Sequence, residues 1–483
     1  MAAPDKAVDI PFIFTDGKGK AEPAKRKLIR KYVMLGKNRG KTRSVKPVNT
    51  TIPSPFKDKG AQDKASGLLI NMRYSTIPKK VGSDLSFTQF AAVVEQPFLH
   101  DLLKFSFLAK RVMYPLERYI VFHRKTKVDT SWFELLTSDA AYVHAAVFAS
   151  QAYILHTSAQ ATPIAARRAM AHYSSALHLL RERLSVSAED NKVSDATVLV
   201  VLYFALHAHF MIDYKTAMQH MEGLRKIVDL RGGLIAFNYN TKLVIELLKC
   251  DLGIALHNNT SPTFFNDPSM EPLMPYDLEM LAAEEPSTRP VELGWKSAQL
   301  DLDADLVQAW TFLKAFCSTV NSAAETNRQL PKETLLKAMA AVMYRLIQMS
   351  SFDPTSLDEA VRLGLLVFSS HIFLNWQDVR PRHTSLPHLY RTCLLTLKLP
   401  SMLTPQLLLW LLMVGSFSIF TPEDDAWLIP WVRVNLQLCD AHSWCVLHRQ
   451  LSAFPWIGFL HDEAGRAIFD TAVSSQSRAG PTT

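Results

Sequence analysis

The stretch Ser194-Asp195-Ala196-Thr197-Val198-Leu199-Val200-Val201-Leu202-Tyr203-Phe204-Ala205-Leu206-His207-Ala208-His209-Phe210-Met211-Ile212 decides the fold. Ser194 is a capping hydroxyl and Asp195 places an acid at the positive end of a helix dipole. From Val198 to Ile212 the chain is apolar around the whole helical circumference, with His207 and His209 as the polar interruptions. A helix apolar on every side is one that neighbouring helices cover. At 15 residues it falls short of the roughly 17–25 needed to cross a bilayer, so it reads as the centre of a soluble helical core.

The flanking segments supply the covering helices. Upstream, Thr162-Pro163 is a start signal, a hydroxyl cap followed by proline at the first helical position. Tyr173, Ala176, Leu177, Leu180 and Leu184 then recur at spacings of three and four, while Arg167, Arg168, His178 and Arg181 lie mostly off that stripe. Downstream, Lys215–Arg231 carries Met218, Met221, Leu224 and Val228 on one face and stops at Arg231-Gly232-Gly233, a cation and then glycine. Thr404-Pro405 repeats the start signal ahead of Gln406–Val414, with Gly415 as a break or cap. Leu407–Phe420, 14 residues long, is another core segment too short to span a membrane. There is no period-2 pattern joined by hairpin turns and no repeat of fixed length. With 17 glycines against 26 prolines among 483 residues, the chain reads as all-α, punctuated by proline.

Charge divides the chain unevenly. The net charge of +8 separates into +10 over residues 1–64 and −2 over the remainder. Between Pro23 and Phe56 no acidic residue occurs, and ten basic ones fall between Lys25 and Lys46. The apolar patch Ile10-Pro11-Phe12-Ile13-Phe14 lies just upstream. Ala24–Leu35 has the spacing of about three helical turns, with Leu28, Ile29, Tyr32 and Val33 on one side. Lys37–Arg43 has nothing apolar to bury and is expected to stay disordered until bound. The organisation expected is a disordered basic N-terminal arm over residues 1–46, a flexible linker over 47–83, a multi-helix regulatory domain over 84–470 and a disordered tail over 471–483. Met1–Asp16 lacks a basic segment followed by an apolar run, so no secretory signal is expected. The five cysteines, Cys250, Cys317, Cys393, Cys439 and Cys445, are odd in number and scattered, which fits a reducing compartment.

The arm supplies the candidate site. Lys25, Arg26, Lys27, Arg30, Lys31, Lys37, Arg39, Lys41 and Arg43 have the density of a nuclear-import signal or of phosphate contacts to nucleic acid. A solvated tail has the same composition. A flexible basic run supplies salt-sensitive affinity, whereas sequence readout needs ordered groups facing base edges.

Three stretches resemble the fungal-specific transcription factor domain family, in the subgroup that opens with an apolar-then-basic motif. The first is Phe12-Ile13-Phe14 followed by Lys25–Met34. The second runs from Ala171-His172-Tyr173 through Val193-Ser194-Asp195 and His220–Leu224 to Leu230-Arg231-Gly232-Gly233-Leu234. The third is Leu409–Gly415 with Phe454-Pro455-Trp456-Ile457 and His461-Asp462-Glu463-Ala464-Gly465-Arg466. The resemblance implies a helical regulatory domain, a nuclear location and control of transcription, a secondary-metabolite gene cluster being a common assignment for such proteins. Many members carry a zinc binuclear cluster of six cysteines ahead of this domain; here no cysteine precedes Cys250. The implied partners are the import machinery, DNA through the basic arm, other transcription factors and a second copy of the chain. The alternative is a scaffold or co-regulator that works through protein partners without touching DNA.

Other constellations weigh less. Cys439, His442, Cys445 and His448 are spaced by threes, but on one helix they would span about 13 Å at roughly 1.5 Å per residue and could not share one tetrahedral ion. They read as packed core. His207 and His209, two apart, point away from each other. His461-Asp462-Glu463 suggests acid–base work or, more often, a helix start with acids near its dipole. Hydrolase-elbow, phosphate-loop, dinucleotide and zinc-protease signatures are missing. The expectation is therefore a non-enzymatic regulator with no cofactor and no metal.

Overall fold

Ser194 accepts the Thr197 backbone N–H at 3.3 Å and begins the helix the sequence announces. In the computed structural model the described residues are 89–95, 97–102, 105, 116, 131–157, 163–186, 193–269, 271–284, 302–349, 352–374, 385–398 and 405–474. The chain divides into Met1–Lys59 and Gly60–Thr483; the described residues all belong to the second unit. They hold helices and no strand, so the fold is all-α. The arm (1–46) and the whole of the expected linker (47–83) lie outside them.

The N-terminal helices are α1 (Ser131–Ser138), α2 (Ala140–Thr157), α3 (Pro163–Val186), α4 (Asp195–Phe210) and α5 (Tyr214–Leu230). A short 3-10 turn, Leu234–Phe237, leads to α6 (Thr241–Asn258). Then come α7 (Leu278–Ala283), α8 (Ala304–Glu325), α9 (Lys332–Gln348), α10 (Leu357–Phe373), α11 (Leu386–Thr396) and α12 (Pro405–Ser418). A second 3-10 turn, Pro422–Asp424, precedes α13 (Asp425–Leu438), α14 (Trp444–Leu451) and α15 (Gly458–Ser474).

Helix α4 is covered as its composition requires: α2 and α5 pack along it and α6 closes another side. Val198, Val200, Leu202, Phe204 and Ala205 are all buried, each large side chain contributing about 1.5–3 kcal/mol on transfer from water. On α5, Met221, Leu224 and Val228 are buried and Met218 partly so. On α3, Ala176 and Leu180 are buried, Tyr173 and Leu177 half-buried, and Leu184 is exposed because the stripe outruns its neighbours. In the C-terminal half α12 takes the central place, flanked by α10, α13 and α15, with every side chain from Leu407 to Val414 buried. No helix among the described residues is long and apolar enough to cross a membrane.

Three boundaries differ from the sequence reading. Helix α15 runs on to Ser474, so the first four residues of the expected 471–483 tail are helical. Helix α4 ends at Phe210, and Met211-Ile212 form its exit: the Asp213 N–H donates to the Ala208 carbonyl at 2.9 Å and the Ile212 N–H to His209 at 3.1 Å. Ile212 takes the left-handed conformation, φ 62°, a place glycine usually fills. Gly415 neither breaks nor caps α12, which continues to Ser418. A Cβ there would collide with the ring of Phe420, so glycine serves a close approach.

Candidate functional site

The nine basic residues of the arm, Lys25, Arg26, Lys27, Arg30, Lys31, Lys37, Arg39, Lys41 and Arg43, lie outside the described residues. What is placed in space is the chemistry of the helical body, and the second and third family-like stretches each close on a node of it.

The first node joins Asp195, at the start of α4, to Arg231, at the end of α5. Arg231 Nη1 donates to Asp195 Oδ1 at 2.6 Å and to the Val193 carbonyl at 3.0 Å. Asn240 Nδ2 donates to the other carboxylate oxygen at 2.9 Å, and Arg231 and Asp195 both bond the Tyr239 hydroxyl. The guanidinium lies 4.2 Å from the centre of the buried Phe237 ring, a cation–π seat. Gly232 (φ 104°) and Gly233 (φ 85°) turn the chain back: the Gly233 N–H meets the Val228 carbonyl and the Gly232 N–H that of Asp229, a Schellman closure. Every donor aimed at Asp195 comes from its own fold, so Arg231-Gly232-Gly233 is a clamp and not a phosphate cradle.

The second node holds the turn between α14 and α15. Lys314 on α8 donates to the carbonyls of Ser452 and, at 3.1 Å, Phe454; burial lowers its ammonium to about 8. Trp410 Nε1 donates to the Pro455 carbonyl at 3.0 Å. Asn321 is bidentate across the turn, donating to the Trp456 carbonyl at 2.8 Å and accepting the Gly458 N–H at 3.0 Å. Trp456 Nε1 donates to Asp462 Oδ1 at 2.7 Å. His461 is fully buried, and its Nδ1 accepts the Ile457 N–H at 2.9 Å. That bond fixes the neutral tautomer with hydrogen on Nε2. Burial, then neighbouring His371, holds the imidazole well below its ordinary value. His461 therefore acts as a hydrogen-bond acceptor within the core. Asp462 lies past the first turn of α15 and answers Trp456 and His448 instead of the helix dipole.

The cysteine–histidine set is not on one helix, so the spacing argument does not apply to it. Cys439 ends α13, Asp440 (φ 50°) turns the chain, and Cys445 and His448 ride on α14. Only Cys439 is packed core; Cys445 is exposed, His442 is largely so, and His448 lies 3.2 Å from Asp462 Oδ1. Among the described residues no group of three or more His, Cys, Asp or Glu is placed to hold a metal ion.

Sequence reasoning missed the couplings between helices. His144 on α2 and His172 on α3 meet Nδ1 to Nδ1 at 2.8 Å, one donating to the other, and His172 Nε2 lies 3.5 Å from Glu95. His209 faces His257 of α6, their ring centres 5.5 Å apart. His207 faces the opposite way, 4.6 Å from the Phe148 ring and 6.2 Å from Tyr173. Phe204, one turn before it, receives Tyr173 at 4.8 Å and His220 at 5.7 Å. The available signal was the i, i+3 pair Phe204 and His207 on one face of the helix. Asp251, buried on α6, accepts the N–H groups of Thr263 (2.7 Å) and Phe264 (3.0 Å) and the Tyr344 hydroxyl (2.9 Å), which pins the loop after α6.

Neither a scan against protein-family models nor searches of curated proteins and of solved structures finds a match to this chain.

Proposed function

We propose that this protein is a transcriptional regulator acting in the nucleus, with the basic arm as its import and nucleic-acid-contacting element and the helical body as its regulatory part. The observation that carries the reading is the charge partition: +10 over residues 1–64 against −2 over the rest. A strongly cationic segment beside a near-neutral body suits a polyanionic partner or an import receptor. The likeness of three stretches to the fungal-specific transcription factor domain adds to it. In the second and third of these, the residues quoted for the likeness include those that form the Asp195–Arg231 and Trp456–His461 nodes.

Genome-wide chromatin immunoprecipitation tests it, comparing the tagged full chain with a version lacking residues 23–47 and carrying a substitute import signal. Promoter peaks that vanish in the truncation support DNA contact through the arm. Absence of peaks in both versions would overturn the regulator reading.

The lack of any cysteine before Cys250, hence of the zinc cluster, favours a second reading: a co-regulator brought to promoters by a partner. Peaks that survive the truncation, with no binding of purified protein to duplex DNA across a salt series, select it. Direct phosphate contacts would instead give a log–log salt slope of about −0.9 per phosphate neutralised.

A further inference from the structure

Helix α3, 24 residues long, packs on α2 and touches α4, with Ala169, His172, Ala176 and Leu180 buried. On the opposite side Arg167, Ala171, Ser174, His178, Arg181 and Ser185 recur at alternating steps of four and three, and all are exposed. That spacing is one straight stripe along a helix. Arg168, also exposed, lies at its edge, and Glu182 is the one acidic residue of the helix.

Other arginines of the body are held by their own fold. Arg183, Arg225, Arg231 and Arg362 each meet a carboxylate at 2.6–2.7 Å. Among the described residues no carboxylate pairs with Arg167, Arg168 or Arg181. A row of uncompensated cations along one helix face is the electrostatic footprint of a polyanion, and what lies between the cations selects which one. Arg167 and Arg181 stand about 21 Å apart along the axis, at 1.5 Å per residue. That brackets the major groove of duplex DNA, about 12 Å wide and open to a helix, with one arginine over each backbone. Ala171 and Ser174 between them are short enough for close approach, and Ser174 and His178 carry hydrogen-bonding groups. The large apolar side chains that seat a helix in lipid are missing from the stripe; Met170 and Leu184, the exposed apolar residues of α3, lie on one flank. No exposed Phe, Tyr or Trp stands on it for single-stranded bases to stack on.

We infer that the outer face of α3 binds duplex DNA: Arg167 and Arg181, with Arg168 beside them, meet phosphates on the two backbones while Ala171, Ser174 and His178 face the major groove. This goes beyond a regulator whose DNA contact is the arm. It rests on the charge of one helix of the body and needs no residue of the arm.

The test measures binding of the full chain to duplex DNA across a salt series, beside two double variants. Arg167→Gln/Arg181→Gln removes the α3 pair. Arg449→Gln/Arg466→Gln removes the same charge from α14 and α15. All four side chains are exposed, so an unchanged urea midpoint is expected and checks folding. The α3 variant is expected to flatten the log–log salt slope by about 1.8, about 0.9 for each phosphate released, and the control variant to leave it as it is. In the chain lacking residues 23–47, duplex binding is expected to persist with a slope of about −2 to −3 and to be lost with Arg167→Gln/Arg181→Gln. An unchanged slope in the α3 variant, or an equal change in both variants, would overturn the inference. So would phosphatidylserine vesicles or single-stranded DNA bound through the same two arginines when duplex is not. None of these outcomes depends on promoter occupancy, so this inference and the regulator reading fail separately.

Discussion

Arg231 Nη1 and Asp195 Oδ1, at opposite ends of the α4–α5 hairpin, meet at 2.6 Å while the same guanidinium lies over the Phe237 ring. One side chain thus fixes three things: the start of α4, the end of α5 and the turn that leads to α6. Both partners are about four-fifths buried, so solvent screens the pair less than it screens a surface ion pair.

Arg231→Ala leaves Asp195 with Asn240 and Tyr239 alone, and is expected to cost about 2 kcal/mol in urea unfolding. Arg231→Lys keeps the charge but loses the planar fork and the flat seat on Phe237, so a cost of about 1 kcal/mol is expected. A lysine variant as stable as the original would show that charge alone makes the clamp.

This clamp also marks how far the sequence could be read. Arg231-Gly232-Gly233 was legible as a stop because glycine is the residue that the left-handed C′ position selects. The stop after Phe210 uses the same hydrogen bonds with Ile212 in that position, and an isoleucine gives no such signal. Likewise Val198–Phe210 was legible as a buried helix from composition alone, but which histidine faces which neighbour depends on register between helices. His207 and His209 differ by two positions, and the neighbours they meet, Phe148 and His257, are set by tertiary packing. The Cys439–His448 spacing misled because the turn at Asp440 interrupts what looks like one period. The candidate site in the arm was read from charge density, which needs no fold, and its residues lie outside the described ones.

Ile212→Gly is expected to stabilise the protein. A β-branched residue in the left-handed region costs roughly 1–2 kcal/mol, and Ile212 is half exposed, at 48%, so little apolar burial offsets it. A gain of about 1 kcal/mol is predicted, read as a higher urea midpoint at constant m-value. Ile212→Val, which keeps the strain, serves as the control and is expected to show no gain.

Gly415→Ala is expected to destabilise despite alanine's better helix propensity. The added Cβ meets the Phe420 ring, itself buried and stacked on Tyr390 with centroids 5.7 Å apart. Overpacking of this kind costs about 1–3 kcal/mol against a propensity gain of about 1 kcal/mol. Thermal unfolding of Gly415→Ala beside Gly415→Ala/Phe420→Leu checks the cause, since the smaller partner should restore part of the loss. A double variant no better than the single one would point to backbone geometry instead.

Acid should weaken the fold in a window set by its buried imidazoles. Burial lowers His144, His207, His220 and His461 below the ordinary histidine value of 6.5. Below that value the unfolded chain binds protons that the folded chain refuses, so the linkage runs toward unfolding. Stability from these groups is complete above pH 6.5 and drains as pH falls toward the depressed folded values. Each fully linked group contributes up to about 1.4 kcal/mol per pH unit. His461 is the strongest contributor, because protonating Nδ1 would also break its bond from the Ile457 N–H. Urea midpoints at pH 7.5 and 5.5 should therefore differ more in the original protein than in His461→Asn, whose amide oxygen can accept the same N–H without titrating. Equal pH dependence in the two proteins would remove His461 from the acid response and leave His144, His207 and His220 as its source.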